Sequence, residues 1–245
     1  MLTCSPLRWR TSDACFFLRA PVPAEDAIGA CPVMFATQVT TKANHEINLK
    51  QLGLPWVDLL LIHWTPFSGC SSDVDCSAIR AQWKALEALR SANLTRSIGV
   101  SNFCQSCLEC LAADPSITVV PAVNQFEYHV GMGADPIGLR SYCQSKGIVA
   151  QAYSPLGPTF NASAKDILIA GGLTTGIGKM HNKTGAQVAL KWVLQRGVPI
   201  VTRSESFSNL ESDLDLFSWQ LSDAELAALD AATEPAAKPC LFCDH

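Results

Sequence analysis

The chain has 245 residues, of which 48% are hydrophobic and 16% charged, with a net charge of −4 and a pI near 5.7. This composition suits one sizeable core and offers no basic face, so it excludes nucleic acid and anionic membranes as expected partners. No apolar run approaches the ~20 residues of a bilayer span, and MLTCSPLRWRTSD lacks the apolar core of a secretory signal, so the expectation is a single soluble, cytoplasmic domain.

In chain order, the first 40 residues show no clean alternation of strand and helix. Around Lys42 two registers are open. VMFATQVTTK reads as a strand ending on Lys42; alternatively TTKANHEINLKQLG is helix, with Val39, Ala43 and Ile47 four apart and Leu49 and Leu52 three apart. Val57 to Ile62 is a short, almost wholly apolar run, as expected for a strand covered on both faces of a parallel sheet. Further strands are predicted near 97–101, 120–126, 148–154 and 199–204, the first one extending to residue 63. Ser77 is positioned to cap a helix running to about Ala92, with Ile79, Trp83, Leu86 and Leu89 on one side. Asp135 and Pro136 open another helix, since proline at the first helical position loses no hydrogen bond. Pro158 to Lys183, rich in Gly and Thr, reads as a long loop with room for a short helix. Thr184 with Gln187 and Ser222 with Glu225 have capping-box spacing, so two more helices start near Gly185 and Asp223. No internal repeat or low-complexity linker stands out.

Eleven cysteines are many for a chain with no export signal, and in a reducing compartment they are expected as free thiols or small buried hydrophobes. Cys104, Cys107 and Cys110 form CxxCxxC, but Asp114 stands where an iron–sulfur run has its fourth cysteine. Cys240, Cys243 and His245 offer three ligands without a fourth, so no metal is expected. GGLTTGIGK is one residue too long for a phosphate loop, and Met180 stands where Ser or Thr is needed. The acceptor triplets at Asn93, Asn161 and Asn182 carry meaning only in a secreted chain.

Five segments occur in a telling order: VDLLLIHW, IGVSNF, VNQFEY, AYSPLG and PIVTRS. Each ends an apolar run on polar groups, as successive strands of a parallel barrel deliver side chains to one rim. The set resembles the aldo-keto reductase family over roughly residues 43–234. The resemblance implies a (β/α)8 barrel of TIM type. Only five strands can be placed here, so the barrel is expected to be incomplete, with residues 1–40 unmatched and the first strands missing. An incomplete barrel should leave two strand edges unpaired unless residues 1–40 cover them, and the protein is expected to be a monomer unless such edges drive association.

The resemblance also assigns roles. His63 in LIHW would orient a substrate carbonyl. Ser101, Asn102 and Gln125 would hold a nicotinamide carboxamide, and Tyr153 would stack on its ring, with Ser154 and Leu156 from AYSPLG also lining the cofactor. Arg203 and Ser204 in VTRS would hold a 2′-phosphate, so NADPH is the expected cofactor, with NADH possible. The family's second phosphate-binding arginine falls on Asn209, its Glu-Asn pair falls on Ser212 and Asp213, and Glu205 adds a negative charge nearby.

The family's tetrad is the weak point. Lys42 takes the catalytic lysine's place only in the strand register; that register leaves 20 residues before His63, about a dozen fewer than the family uses, and this favours the helix. The three tyrosines are Tyr128, Tyr142 and Tyr153; none precedes His63, and neither Asp13 nor Asp26 has a tyrosine five residues on. The proton donor and its aspartate are therefore absent from this sequence. Two readings stand: an NADP-dependent reductase of small-molecule aldehydes or ketones whose sequence is N-terminally shortened or a truncated gene product, and a non-catalytic relative that binds nucleotide or a protein partner.

Overall fold

The computed structural model describes residues 15–17, 38–65, 70, 72–158, 164–202, 204 and 206–240. Its sheet has the order β1 (Cys15–Phe17), β2 (Val57–Ile62), β3 (Thr95–Ser101), β4 (Val123–Glu127) and β5 (Val149–Tyr153). The pairs β2–β3, β3–β4 and β4–β5 are parallel and sequential, joined by crossover helices. β1 runs antiparallel to β2, with Cys15 opposite Leu61 and Phe17 opposite Leu59, and so covers the edge that an incomplete barrel would otherwise expose there.

The predicted strand at 199–204 is reduced to one parallel bridge, Ala152 to Ile200, held by Ala152 N–H donating to the Pro199 carbonyl and Val201 N–H to the Ala152 carbonyl, both at 2.8 Å. Pro199 has no N–H to add to the ladder, which limits the pairing. The strand predicted at 120–126 begins only at Val123, because Pro121 interrupts it and Val120 is exposed.

Alternation along the strands separates two faces. Leu60, Ile62, Ile98, Val100, Phe126, Ala150 and Ala152 belong to the core under the helices, with Trp83 and Trp192 fully buried among them. The other face carries Leu61, Gly99, Ser101, Gln125, Glu127, Gln151 and Tyr153. Gly99 is required there, since a Cβ would lie 2.6 Å from the Val123 carbonyl oxygen and 2.7 Å from Leu61 Cδ2.

The helices are α1 (Gln38–Leu52), α2 (Asp73–Ser91), α3 (Gln105–Ala112), α4 (Leu139–Ser145), α5 (Lys165–Ile169), α6 (Gly172–His181), α7 (Gly185–Gln195), α8 (Phe207–Leu214) and α9 (Asp223–Asp230). Both capping boxes form, at Thr184 with Gln187 and at Ser222 with Glu225. The cap of α2 is Ser72 rather than Ser77, its hydroxyl accepting from Asp75 N–H. The helix begins earlier than its apolar spacing, because Asp73 and Asp75 form a polar first turn that suits the positive helix end. Pro136 opens a 3₁₀ turn (Pro136–Gly138) instead of α4, which starts after Gly138 adopts a left-handed conformation. The expected Gly/Thr-rich loop holds α5 and the ten-residue α6. Glycine disfavours helix, yet a Cβ at Gly178 would collide with the Lys183 carbonyl, so packing outweighs propensity there.

The cysteines also depart from expectation. Cys70 is bridged to Cys107 and Cys76 to Cys110, with Cα separations of 5.1 and 5.2 Å. Cys107 and Cys110 of the CxxCxxC run are thus spent on these bridges, and Cys104 Sγ lies 3.5 Å from Cys107 Sγ. Cys240 is buried, whereas Cys243 and His245 lie outside the described residues. Among the described residues, no helix is long and apolar enough to cross a membrane.

Candidate functional site

Four consecutive parallel strands end on polar residues, and hydrogen bonds join those ends into one cluster. The hub is Asn102, just past β3, buried and held at φ 60°, a left-handed conformation that asparagine tolerates better than most residues. Its Nδ2 donates to the His63 carbonyl at 2.8 Å and to Ser101 Oγ at 3.1 Å. Its Oδ1 accepts from the Tyr153 hydroxyl at 2.8 Å. Ser101 Oγ donates to the Gln125 carbonyl at 2.8 Å, and that same carbonyl accepts from Asn102 N–H at 2.8 Å. Gln125 Nε2 donates to Gln151 Oε1 at 2.9 Å.

His63, Ser101, Asn102, Gln125 and Tyr153 are therefore brought together, at the C-terminal ends of the strands. Ser154 follows directly with φ 50°, and Leu156 is half-buried in the same turn. Ser204 lies apart from this cluster and engages Ser206, whose side chain caps α8. Arg203 and Glu205 lie outside the described residues. Asn209 is exposed on α8. The carboxyl of Asp213 is pushed above its usual range by burial, against a hydrogen bond from Thr202 that pulls it down.

Lys42 does not join the cluster by the route a catalytic lysine would need. It is exposed in the second turn of α1, so the helix register is the one the chain adopts, and no strand ends at this position. Buried Thr41, His45, Asn48 and Leu49 share one face of the helix, and Lys42 lies exposed at the border of that face.

Proton-transfer groups at the site are few. Burial pushes the Tyr153 phenol far above its ordinary range, with Glu127 adding to the shift. Tyr128 is raised likewise; it is fully buried beside Trp192 and donates to the Ala134 carbonyl at 2.9 Å. Tyr142, on α4, is also raised by burial. Desolvation lowers His63 to about 4, so its imidazole is neutral at pH 7, and its Nδ1 has no hydrogen-bond partner among the described residues.

The sign of the linked stability follows. Unfolded, His63 takes its proton near pH 6.5, and folded only near 4, so the unfolded chain holds more protons in between. Stability should be constant above about pH 7 as far as this group is concerned, fall between pH 6.5 and 4, and level off below. Burial lowers His45 as well, so it adds to the same loss. Thermal unfolding followed by circular dichroism from pH 7 to 4 is expected to show the decline, and His63→Asn should remove only part of it.

Sequence reasoning missed Gln151 and the bonds that Asn102 makes within the protein. The period of two along β5 does pair Gln151 with Tyr153 on one face, which is the signal that could have found it. A hollow of about 470 Å³ at the N-terminal ends of β2 and β3 is a separate feature. There the Arg96 guanidinium sits 4.0 Å over the Trp56 ring and 3.3 Å from Asp58, so its charge is already engaged.

Residues 36–234 match the model of the aldo/keto reductase family. The chain is 38% identical over 187 residues to an aldo-keto reductase of Mycolicibacterium vanbaalenii, covering 76% of this chain and 61% of that one. It is 33% identical over 201 residues to a rho crystallin of Aquarana catesbeiana, again at 76% and 61%, and to a D-galacturonate reductase of Fragaria ananassa, at 78% and 61%. The chain thus spans about 61% of the length of these curated relatives. Among solved structures, an aldo-keto reductase from a Medee basin deep-sea metagenome library superposes with a TM-score of 0.73 at 27% identity, covering 86% of this chain and 73% of that one. The aldose reductase of Schistosoma japonicum gives 0.67 at 29%, covering 82% and 66%. With its parallel α/β sheet, its ordered strand-end motifs and a family match over most of its length, the chain belongs to the aldo/keto reductase family.

Proposed function

We propose that this protein binds a reduced nicotinamide dinucleotide, NADPH in preference to NADH, and passes hydride to an aldehyde or ketone with poor proton delivery. The observation that carries the reading is the hydrogen-bonded cluster of Ser101, Asn102, Gln125 and Tyr153 at adjoining strand ends. Its unspent capacity fits a carboxamide. Both Asn102 Nδ2 hydrogens are used within the protein, but Asn102 Oδ1 keeps one lone pair and Gln125 Nε2 keeps one hydrogen. These supply one acceptor and one donor, the complement of a carboxamide's N–H and C=O. Such a cofactor would supply the hydride; the chain's own residues would orient it, and neutral His63 would hydrogen-bond the substrate oxygen.

Preference for NADPH rests on the cation of Arg203. Titration by quenching of tryptophan fluorescence is expected to show Arg203→Ala weakening NADPH far more than NADH, and Gln125→Ala weakening both alike. Equal losses for Arg203→Ala would remove the phosphate from the reading, and no binding of either dinucleotide to the parent chain would remove the function. A binder with little or no turnover remains the second reading, favoured by three tyrosines whose phenols are all shifted away from easy proton release.

A further inference from the structure

We infer that Gln151 is a positioning residue for the nicotinamide site, acting through the amide of Gln125. The inference rests on the binding reading proposed above. In the parallel pair of β4 and β5, Gln125 and Gln151 are direct partners in register, so their side chains leave the sheet on the same face and side by side. Gln125 is 3% exposed, and its Nε2 donates to Gln151 Oε1 at 2.9 Å.

An amide side chain has two ends of nearly the same shape and opposite hydrogen-bonding sense. Left unheld, the Gln125 amide can turn over and present oxygen where nitrogen was. Its backbone neighbours do not prevent this, because Ser101 Oγ and Asn102 N–H both engage the Gln125 main-chain carbonyl and leave the side chain alone. The bond to Gln151 couples the two amides: with Gln151 Oε1 turned toward β4, one Gln125 Nε2 hydrogen is committed to β5, and the other hydrogen and Oε1 face away from Gln151. Asn102 cannot take over as donor, since both of its Nδ2 hydrogens are spent. The site's donor to a carboxamide oxygen is thus oriented by a residue that need not touch the cofactor.

The same face explains why the bond is strong enough to matter. Leu61 lies fully buried on this side of the sheet, Glu127 and Tyr153 form the next pair toward the strand ends, and of the two glutamines Gln125 is buried while Gln151 is half-buried. An amide left unpaired there has little water to replace its partner.

The test is a double-mutant cycle on the whole chain, with Kd for NADPH and for NADH read from tryptophan quenching and folding checked by thermal unfolding. Gln125→Leu should weaken both dinucleotides, and Gln151→Leu should weaken both by about fivefold, without changing their ratio. In the Gln125→Leu background, Gln151→Leu should have no further effect, because its route is gone. Should Gln151→Leu prevent folding, Gln151→Ala takes its place in the same cycle. Independent, additive losses, or a loss from Gln125→Leu with none from Gln151→Leu, would overturn the role of Gln151 while leaving the site intact. Full affinity in Gln125→Leu would instead overturn the binding reading itself.

Discussion

With NADPH and an activated benzaldehyde, this chain is expected to turn over at least about 10²-fold more slowly than the same chain preceded by a family segment that supplies the tyrosine and aspartate. General acid catalysis works best when the donor's pKa lies near the working pH, and neither Tyr153 nor His63 meets that condition. Tyr153 gives its hydroxyl hydrogen to Asn102 and is shifted upward by burial. Tyr128 is locked in the core against the Ala134 carbonyl, and Tyr142 lies on α4 away from the strand ends. His63 falls on the other side of neutrality: with a pKa lowered to about 4 it carries no proton to give at pH 7. Lys42, exposed on α1, has no tyrosine to tune. Absorbance of NADPH, followed in both proteins, measures the deficit. Residual turnover that rises as pH falls toward 4 would identify His63 as the weak substitute acid. If the chain matches its extended version at pH 7 and His63→Ala abolishes the activity, the account of the deficit is wrong.

Loss of the two bridges should have the largest effect on stability. Cys70–Cys107 and Cys76–Cys110 close spans of 37 and 34 residues, and chain-entropy arguments assign loops of that size about 3–4 kcal/mol each. The loops overlap, so the sum for both is smaller than twice one. Their placement matters as much as their size. Cys70 lies in the connection that leaves His63, Cys76 lies in the first turns of α2, and both partners lie one turn apart on α3, which starts three residues after Asn102. With the bridges removed, the Asn102 to His63 bond still ties those two strand ends directly. Urea unfolding with and without a dithiol reductant, and of Cys107→Ser with Cys110→Ser, is expected to show a loss of about 3–5 kcal/mol. Each bridge reduced takes up two electrons and two protons from the dithiol, which becomes a disulfide in turn. Coincident transitions in the two conditions would show that the bridges do not form. The bridged form belongs to an oxidising environment, and in a reducing one the free thiols expected from composition are the relevant state.

What the sequence determined by itself is what neighbouring residues decide among themselves. The order of LIHW, GVSNF, VNQ and AYSPLG places four polar strand ends at one rim, because crossover connections keep successive parallel strands pointing the same way. Period-two alternation separates Gln125 and Tyr153 from Phe126 and Ala152, and the capping boxes at Thr184 and Ser222 close over a few residues each. The helix containing Lys42 was legible for the same reason, from spacings of three and four. Tertiary structure alone decided the rest: that Cys70 and Cys76 meet α3, that β1 covers the edge of β2, that the Asn102 amide is spent on His63 and Tyr153, and that Gln151 stands beside Gln125. These contacts join residues far apart in the chain, and their partners are selected by strand register and packing, which no local pattern encodes.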